Sequence, residues 1–302
     1  MCFLMNSVEG RIIKAISGFY YVETTDNTYE CKARGSFRKT SKTPVVGDLV
    51  TISIPESGYP TVEEIHKRKN SIVRPPMANI DTLVIVCSTV SPAPNYTVID
   101  KMTATAVYNN IEPVIVISKS DIKSGEEIYN IYNSTGIKTI LYSSVTGEGV
   151  DEIYSLLPNK ITAFIGNSGV GKSTLLNKLF PDFQLKTGEV SDKLGRGRHT
   201  TRTVELLKFN GGYVCDTPGF STMQLEKFNI QDKTQLQYMF PEFEDYIGQC
   251  KFTSCSHTCE KGCAILQMVE EGKIQKSRHN SYVDMYNEIK DIKEWERRKW
   301  DV

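Results

Sequence analysis

The order of apolar and polar residues divides the chain into three regions. Over residues 1–70, short segments rich in β-branched and aromatic residues alternate with Gly, Asp, Asn or Pro, a pattern typical of strands joined by turns. The segments are GRIIKAIS, GFYYVET, TYECKARG, GDLVTISI and YPTVEEIHK. So many short strands in so little sequence predict a small closed barrel, such as an OB-fold.

From residue 80 the pattern changes to apolar runs of the buried-strand type, which are IDTLVIVCS, PVIVISK, KTILYSS and KITAFIG. Stretches with helical spacing, at residues 96–108 and 125–135, alternate with these runs. This alternation predicts βαβ units and a parallel sheet. The apolar runs stop near residue 225, and a cysteine cluster follows, then a charged segment over 278–300 that we expect to be helical.

We therefore expect a multi-domain chain. An N-terminal all-β OB-fold barrel would span residues 1–70, a central α/β domain 71–226, and a C-terminal, mostly α domain 227–302.

Charge and hydropathy limit the partners. Lys plus Arg and Asp plus Glu both number 36, so a polyanion would have to be bound by local basic patches. No apolar run reaches the roughly 20 residues of a membrane helix, and the start of the chain lacks the basic segment of a secretory signal. We expect a cytoplasmic chain that has no membrane partner.

Residues 166–174, GNSGVGKST, lie between a predicted strand and a predicted helix and fit G-x-x-x-x-G-K-S. In such a loop the backbone N–H groups cradle phosphate oxygens, Lys172 reaches the β and γ phosphates, and the Ser173 hydroxyl binds Mg²⁺. The predicted nucleotide-binding residues here are Gly166, Asn167, Ser168, Gly169, Val170, Gly171, Lys172, Ser173 and Thr174.

Two further motifs complete a guanine nucleotide site. In YVCDTPGF, Asp216 would hold Mg²⁺ through water, and the Gly219 N–H would sense the γ-phosphate. In VIVISKSDI, the Asp121 carboxylate can accept hydrogen bonds from guanine N1–H and N2–H₂, a pair of donors that adenine does not offer on that edge. The predicted base-reading residues are Ser118, Lys119, Ser120 and Asp121, where Ser118 replaces a commoner Asn. The small residues of 143–150 could pack beside the base.

The base-reading segment precedes the phosphate loop in this chain. A doubly wound sheet gathers its site at the carboxyl ends of its strands whatever their chain order, so the site survives when the old termini are joined and the chain is cut elsewhere. The motif order therefore predicts a circularly permuted P-loop GTPase domain.

The segment CKFTSCSHTCEKGC offers five candidate metal ligands, which are Cys250, Cys255, His257, Cys259 and Cys263. Such crowding indicates a metal site in a reducing compartment rather than a disulfide framework. Two basic runs, KARGSFRKTSK over 32–42 and HKRKNSIVR over 66–74, make the barrel a candidate RNA reader. A solubilising face is the alternative.

These motifs, together with PVVGD at 44–48 and GRHTTR, make the chain similar over nearly its whole length to the ribosome small-subunit biogenesis GTPase family (RsgA). The resemblance implies a GTPase that binds the small ribosomal subunit and its rRNA, acts late in its maturation as an assembly and release switch, and works as a monomer with Mg²⁺ and GTP or GDP. It also implies one structural Zn²⁺, because C-x₄-C-x-H-x₅-C selects Cys250, Cys255, His257 and Cys263 as a closed set. Cys259 is then left over, although it could compete with His257.

The catalytic residues are the least determined part of the site. Many switch GTPases orient water with a Gln directly after D-x-x-G, but here that residue is Phe220. His199 is our candidate for this role, and Thr201, with Thr200 close behind, is our candidate for the second Mg²⁺ ligand. His199 could instead contact RNA beside its neighbouring arginines.

Two rival functions remain. An RNA-binding protein with a structural, non-switching GTP site fits poorly, since GRHTTR and DTPGF both resemble mobile γ-phosphate sensors. A P-loop ATPase or kinase would have no use for Asp121.

Overall fold

The computed structural model describes residues 6–38, 43–73, 75–181, 204–216 and 232–293. Its N-terminal part is a barrel of β1 (Asn6–Ile16), β2 (Phe19–Glu23), β3 (Thr28–Ala33), β4 (Leu49–Ile54) and β5 (Thr61–Ile65). The strands are ordered β1-β2-β3-β5-β4, and β4 also pairs with β1, so the barrel closes. The five predicted strands and the OB-type barrel are confirmed.

Alternation of side chains fills the barrel interior. Val22, Cys31, Ile52 and Val62 are all fully buried and point inward, while their sequence neighbours are more exposed. This period of two is the feature by which the sequence predicted strands in this region.

The central part is built on a six-stranded sheet. Its elements are the hairpin β6 (Ser71–Val73) and β7 (Pro76–Ala78), then β8 (Thr82–Ser88), α1 (Tyr96–Tyr108), β9 (Glu112–Ser118), α2 (Glu126–Asn133), β10 (Lys138–Tyr142), α3 (Val150–Ser155), β11 (Ile161–Gly166), α4 (Lys172–Leu179), β12 (Glu205–Phe209) and β13 (Gly212–Asp216). The sheet order is β10-β9-β8-β11-β13-β12, and every neighbouring pair is parallel except β12 with β13. The predicted parallel sheet is thus confirmed, with one antiparallel strand at its edge.

The barrel and this sheet meet where β1 pairs with β12 through Lys14 and Glu205. The same two residues form an ion pair of 2.8 Å between Lys14 Nζ and Glu205 Oε2. The N-terminal barrel therefore adjoins the antiparallel edge of the sheet, away from β9, the strand that leads into the predicted base-reading residues.

The C-terminal part consists of 3₁₀ helices at Leu236–Met239 and Pro241–Tyr246, then α5 (Ala264–Glu270) and α6 (Lys276–Ile289). The expected helix over 278–300 begins two residues earlier and ends at Ile289, the last buried residue of its apolar face. Residues 294–300 of the expected helix lie outside the described residues. Among the described helices, none is long and apolar enough to cross a bilayer.

Candidate nucleotide site and metal centre

Three strands of the central sheet end at the same edge and carry the predicted nucleotide motifs. β9 ends at Ser118, β11 at Gly166 and β13 at Asp216. Because β8 lies between β9 and β11, and β13 adjoins β11, the three carboxyl ends face one region. The three motifs therefore meet at one edge of the sheet, although their order along the chain is permuted.

The phosphate loop is shaped by two glycines in the left-handed backbone region. Gly169 has a φ of +82° and Gly171 a φ of +91°, values that favour glycine. Gly171 is the N-cap of α4, so Lys172, Ser173 and Thr174 form the first helical turn, where backbone N–H groups lack intrahelical acceptors and suit an anion.

Between those glycines, Val170 points inward, is only 3% exposed and packs with Phe164 and Leu175 in the core beneath the sheet. The loop is therefore anchored by an apolar side chain, while Ser168 and Gly169, which directly precede it, remain exposed.

The base-reading and phosphate loops are tied together directly. The buried Ser118 Oγ lies 2.9 Å from Cys87 O and 2.5 Å from Val170 O, and its single proton is donated to one of these carbonyls. Lys119, at a φ of +62°, donates from Nζ to Gly169 O over 2.9 Å. A displacement of either loop would therefore disturb hydrogen bonds made by the other.

Asp121 is held in position by a neighbouring loop. Ser143 Oγ accepts the backbone N–H groups of Val145 and Thr146, each at 3.1 Å, so its own proton is free to be donated to Asp121 Oδ1 at 2.6 Å. Asp121 is exposed, and this bond leaves a carboxylate oxygen available to a base. Sequence reasoning offered 143–150 only as small residues, and missed the orienting role of Ser143.

The preceding residue of the base-reading loop contacts the same 143–150 segment, since Ser120 Oγ donates to Glu148 Oε2 at 2.6 Å. The remaining sequence candidates lie outside the described residues. These are His199, Thr200, Thr201 and Gly219, together with the side chain of Asp216.

Four of the five candidate metal ligands come together. Cys250, Cys255, His257 and Cys263 each offer one ligand atom, and those atoms all lie within 4.8 Å of one another. Cys259, the fifth candidate, is exposed and does not belong to the group. Of the two residues between which the sequence left a choice, the geometry places the buried His257, and not Cys259, with the three cysteines.

The spacing of the group fits tetrahedral zinc. A tetrahedron with Zn–S bonds of about 2.3 Å has S···S edges of about 3.8 Å and slightly shorter S···N edges. Cys250 Sγ and Cys263 Sγ are 3.8 Å apart, and His257 Nδ1 lies 3.5 and 3.4 Å from these sulfurs. Three thiolates and an imidazole are the donor set of a closed, structural zinc site.

Burial shifts the titration of these ligands. It raises the pKa of Cys255 to about 12, so that the thiol keeps its proton unless a cation displaces it. Burial lowers the pKa of His257, which keeps the imidazole neutral and able to ligate at pH 7.

A carboxylate organises the loop between the ligands. Glu260 accepts hydrogen bonds from the backbone N–H groups of Ser256, Thr258 and Cys259 at 2.7, 3.1 and 3.1 Å. Although partial burial acts to raise it, the hydrogen bonds from the hydroxyl and backbone N–H of Ser256 and from the backbone N–H of Cys259 lower the pKa of Glu260 to about 2. This carboxylate therefore stays charged and fixes the turn that presents His257.

Helix α6 holds the same loop from the other side. His279 Nε2 donates to His257 O at 2.8 Å, and the Tyr282 hydroxyl donates to Ser256 O at 2.9 Å. No motif marked these two residues, because their partners are more than 20 positions away.

The barrel carries an exposed patch of rings and charge. Lys32 Nζ lies 4.4 Å from the ring centroid of Tyr59 and 5.3 Å from that of Phe19. Phe19 and Lys32 are cross-strand partners on β2 and β3, and Tyr59 is 51% exposed. Rings and a cation on one face are suited to stacking bases and contacting phosphates.

The basic runs are less available than their composition indicates. Arg68 forms two hydrogen bonds with the fully buried Asp48, and Lys69 pairs with Asp81 at 2.7 Å, so both cations already have structural partners. Three further cations of the two basic runs lie outside the described residues, and these are Lys39, Lys42 and Arg74.

Two family models match the barrel and the central part. A model described as RsgA N-terminal domain matches residues 9–61, and one described as RsgA GTPase matches residues 65–226. A third, described as 50S ribosome-binding GTPase, matches residues 161–294 and so begins at the strand before the phosphate loop.

Similar proteins cover nearly the whole chain. One from Caldanaerobacter subterraneus subsp. tengcongensis, named small ribosomal subunit biogenesis GTPase RsgA, is 43% identical over 98% of this chain and 99% of its own. The crystal structure of YloQ, described as a circularly permuted GTPase, is 34% identical over 97% of this chain and 98% of its own, with a TM-score of 0.75. That of YjeQ from Thermotoga maritima is 33% identical over 95% and 100%, with a TM-score of 0.78. The predicted permutation and three-part fold are confirmed.

Proposed function

We propose that this chain, which belongs to the RsgA GTPase family and is a GTP hydrolase, binds the small ribosomal subunit through rRNA and releases it when GTP is hydrolysed, late in the maturation of that subunit. The observation that carries the proposal is the presence in one chain of the barrel, the permuted GTPase and the Cys₃His group. The relative that is 43% identical over 98% of this chain is named for small-subunit biogenesis.

Each of the three parts contributes to this function. The barrel, over residues 1–70, contacts rRNA through the patch of Phe19, Lys32 and Tyr59. The central domain, 71–226, binds and hydrolyses GTP, and the C-terminal domain, 227–302, docks on the subunit and is stabilised by one Zn²⁺ on its Cys₃His group. The chain acts in the cytoplasm as a monomer.

Within the nucleotide site, Asp121 reads guanine, Lys172 contacts the β and γ phosphates, and Ser173 holds Mg²⁺, which neutralises phosphate charge. The close contact between the base-reading and phosphate loops favours this assignment. Lys119 of the first loop donates to Gly169 O of the second, so the two loops are near enough to bind the base and the phosphates of one nucleotide. Thr201 supplies the second Mg²⁺ ligand, Asp216 holds Mg²⁺ through water, and the Gly219 N–H senses the γ-phosphate.

Release follows from the connection between the domains. Residues 217–226, which include Gly219, lead directly from Asp216 into the C-terminal domain, so a γ-phosphate sensor is joined covalently to a docking module. Loss of the γ-phosphate changes the contacts made by this segment and weakens subunit binding. An RNA-binding protein with a structural GTP would show no such dependence.

Turnover of GTP with and without small ribosomal subunits tests the proposal. We expect slow hydrolysis by the chain alone and a marked increase with subunits. Equal turnover in both conditions would favour the rival function, a non-switching GTP site.

His199→Ala is expected to keep GTP affinity but to lose about 100-fold or more of the subunit-stimulated turnover, since general acid–base groups contribute factors of that order. Phe220 cannot orient water, and a neutral imidazole can. The variant should remain bound to the subunit. Normal stimulated turnover combined with weak subunit binding would instead make His199 an RNA contact.

Asp121→Asn is expected to weaken GTP binding by about 100-fold, because two hydrogen bonds to a charged acceptor are lost. XTP, which has a carbonyl at the C2 position, should gain relative affinity. Competition binding with GTP, ATP and XTP measures both changes, and Asp151→Asn, an exposed acid of α3, is the control. An unchanged preference for GTP would reject the assignment of the base-reading loop.

A further inference from the structure

Gln237 contacts the one ring nitrogen of His257 that faces away from the cysteines. Gln237 Oε1 lies 2.8 Å from His257 Nε2. The other ring nitrogen, Nδ1, lies 3.5 Å from Cys250 Sγ and 3.4 Å from Cys263 Sγ. The imidazole is therefore oriented between the carboxamide and the thiols.

The hydrogen bonds of Gln237 determine which nitrogen of His257 carries the proton. Gln237 Nε2 lies 3.2 Å from Thr234 O, and since a carbonyl oxygen only accepts, the amide nitrogen must face Thr234. The amide oxygen must then face His257 and must receive a proton from Nε2. This leaves the lone pair of Nδ1 directed at the cysteines, as a metal ligand requires.

Gln237 is itself fixed by the segment that leaves the GTPase core. Thr234 donates its backbone N–H and its hydroxyl to Asp232 Oδ1 at 2.9 and 2.7 Å. The short helix Leu236–Met239 buries its two terminal side chains in an apolar cluster that includes Ala104 of α1. A chain of hydrogen bonds thus runs from residue 232, the first described after DTPGF, to a ligand of the metal group.

We propose that Gln237 is a positioning residue of the metal centre, which sets the tautomer and orientation of His257 and makes zinc affinity depend on the segment that follows the GTPase core. The proposal rests on the proposed binding of zinc by Cys250, Cys255, His257 and Cys263. Outer partners of a ligating histidine are usually carboxylates, backbone carbonyls or water, and a side-chain amide can serve in the same way.

Three variants of the full chain test this role. Gln237→Met keeps the length of the side chain but removes the acceptor, and Gln237→Glu keeps an acceptor. Gln267→Met changes an exposed glutamine of α5 whose side chain contacts Glu271 and not a ligand. Zinc affinity is measured by competition with a chromophoric chelator. We expect binding about 10-fold to 100-fold weaker in Gln237→Met, and affinities within about threefold of the original in the other two.

A spectrum of the zinc-loaded chain reports the tautomer independently of affinity. Long-range ¹H–¹⁵N correlation of the His257 ring is expected to place the proton on Nε2 in the unchanged chain and to show faster exchange of that proton in Gln237→Met. Thermal unfolding of each variant separates loss of the bond from loss of the fold.

Unchanged zinc affinity in Gln237→Met overturns the proposal. Equal losses in Gln237→Met and Gln237→Glu also overturn it, because shape rather than the acceptor would then be at work. If the unchanged chain binds no zinc, the four-ligand assignment itself fails, and this result is distinguishable from failure at Gln237 alone.

Discussion

The Cys255→Ser variant is expected to lose its zinc and to unfold the region after residue 230, while the barrel and GTPase core persist. Structural zinc in small metal-binding domains contributes about 10–16 kcal/mol of apparent binding free energy, which is folding free energy because the site exists only in the folded chain. A whole domain is stable by only about 5–15 kcal/mol. Loss of one thiolate ligand therefore removes most of what keeps this region folded.

Metal content by mass spectrometry, together with amide hydrogen exchange, measures the two effects on one sample. Cys259→Ser is the matched control, since Cys259 lies in the same loop but is exposed and outside the ligand group. We expect the control to keep its zinc and its protection from exchange. Full metal retention in Cys255→Ser would remove that residue from the ligand set.

The sequence predicted those features that depend on residues close to one another in the chain. The period-two alternation that placed strands in the barrel reflects which side chain of each pair points inward, as Val22 and Cys31 do. The phosphate loop was predictable because left-handed turns at Gly169 and Gly171 need glycine. The grouping of the four candidate metal ligands was predictable because they lie within 14 residues, from Cys250 to Cys263.

Pairings between distant segments were not predictable in this way. Asp121 gave a motif, but its partner Ser143 belongs to a different loop 22 positions away. Arg68 was counted among the RNA-binding cations, yet it is held by Asp48, 20 positions earlier in the chain. A count of charges in a sequence cannot separate a cation that faces solvent from one that has a carboxylate partner in the fold.

One distant pairing did leave a signal in the sequence. The apolar stripe of α6 runs through Tyr282, Met285 and Ile289 at spacings of three and four, and Arg278 occupies the next position of that stripe toward the N-terminus. A cation at a core position indicates a buried carboxylate partner. The sequence alone could not say which of the many acids supplies it.

The Arg278→Met variant is expected to destabilise the chain by about 3–5 kcal/mol, the range found when one partner of a buried ion pair is removed. Arg278 is fully buried, donates from Nη1 to Asp100 Oδ1 at 2.7 Å, and donates from Nε to Glu242 Oε1 at 2.7 Å. Although burial disfavours its charge, these two carboxylates raise the pKa of Arg278. Methionine fills similar volume but leaves both acids buried without a cation.

Lys101→Met is the matched control, because Lys101 pairs with Glu288 across the same α1–α6 contact but at the surface, where Glu288 is 52% exposed. Exposed pairs contribute at most about 1 kcal/mol, so urea unfolding should separate the two variants clearly. The Arg278 network also reaches α2, since the Tyr132 hydroxyl donates to Asp100 Oδ1 at 2.8 Å, and α2 follows the base-reading loop. Loss of Arg278 should therefore free the C-terminal domain from the GTPase core, which limited proteolysis would detect as cleavage before residue 236. Equal stability of the two variants would mean that apolar packing of α6, and not its buried charge, joins the two domains.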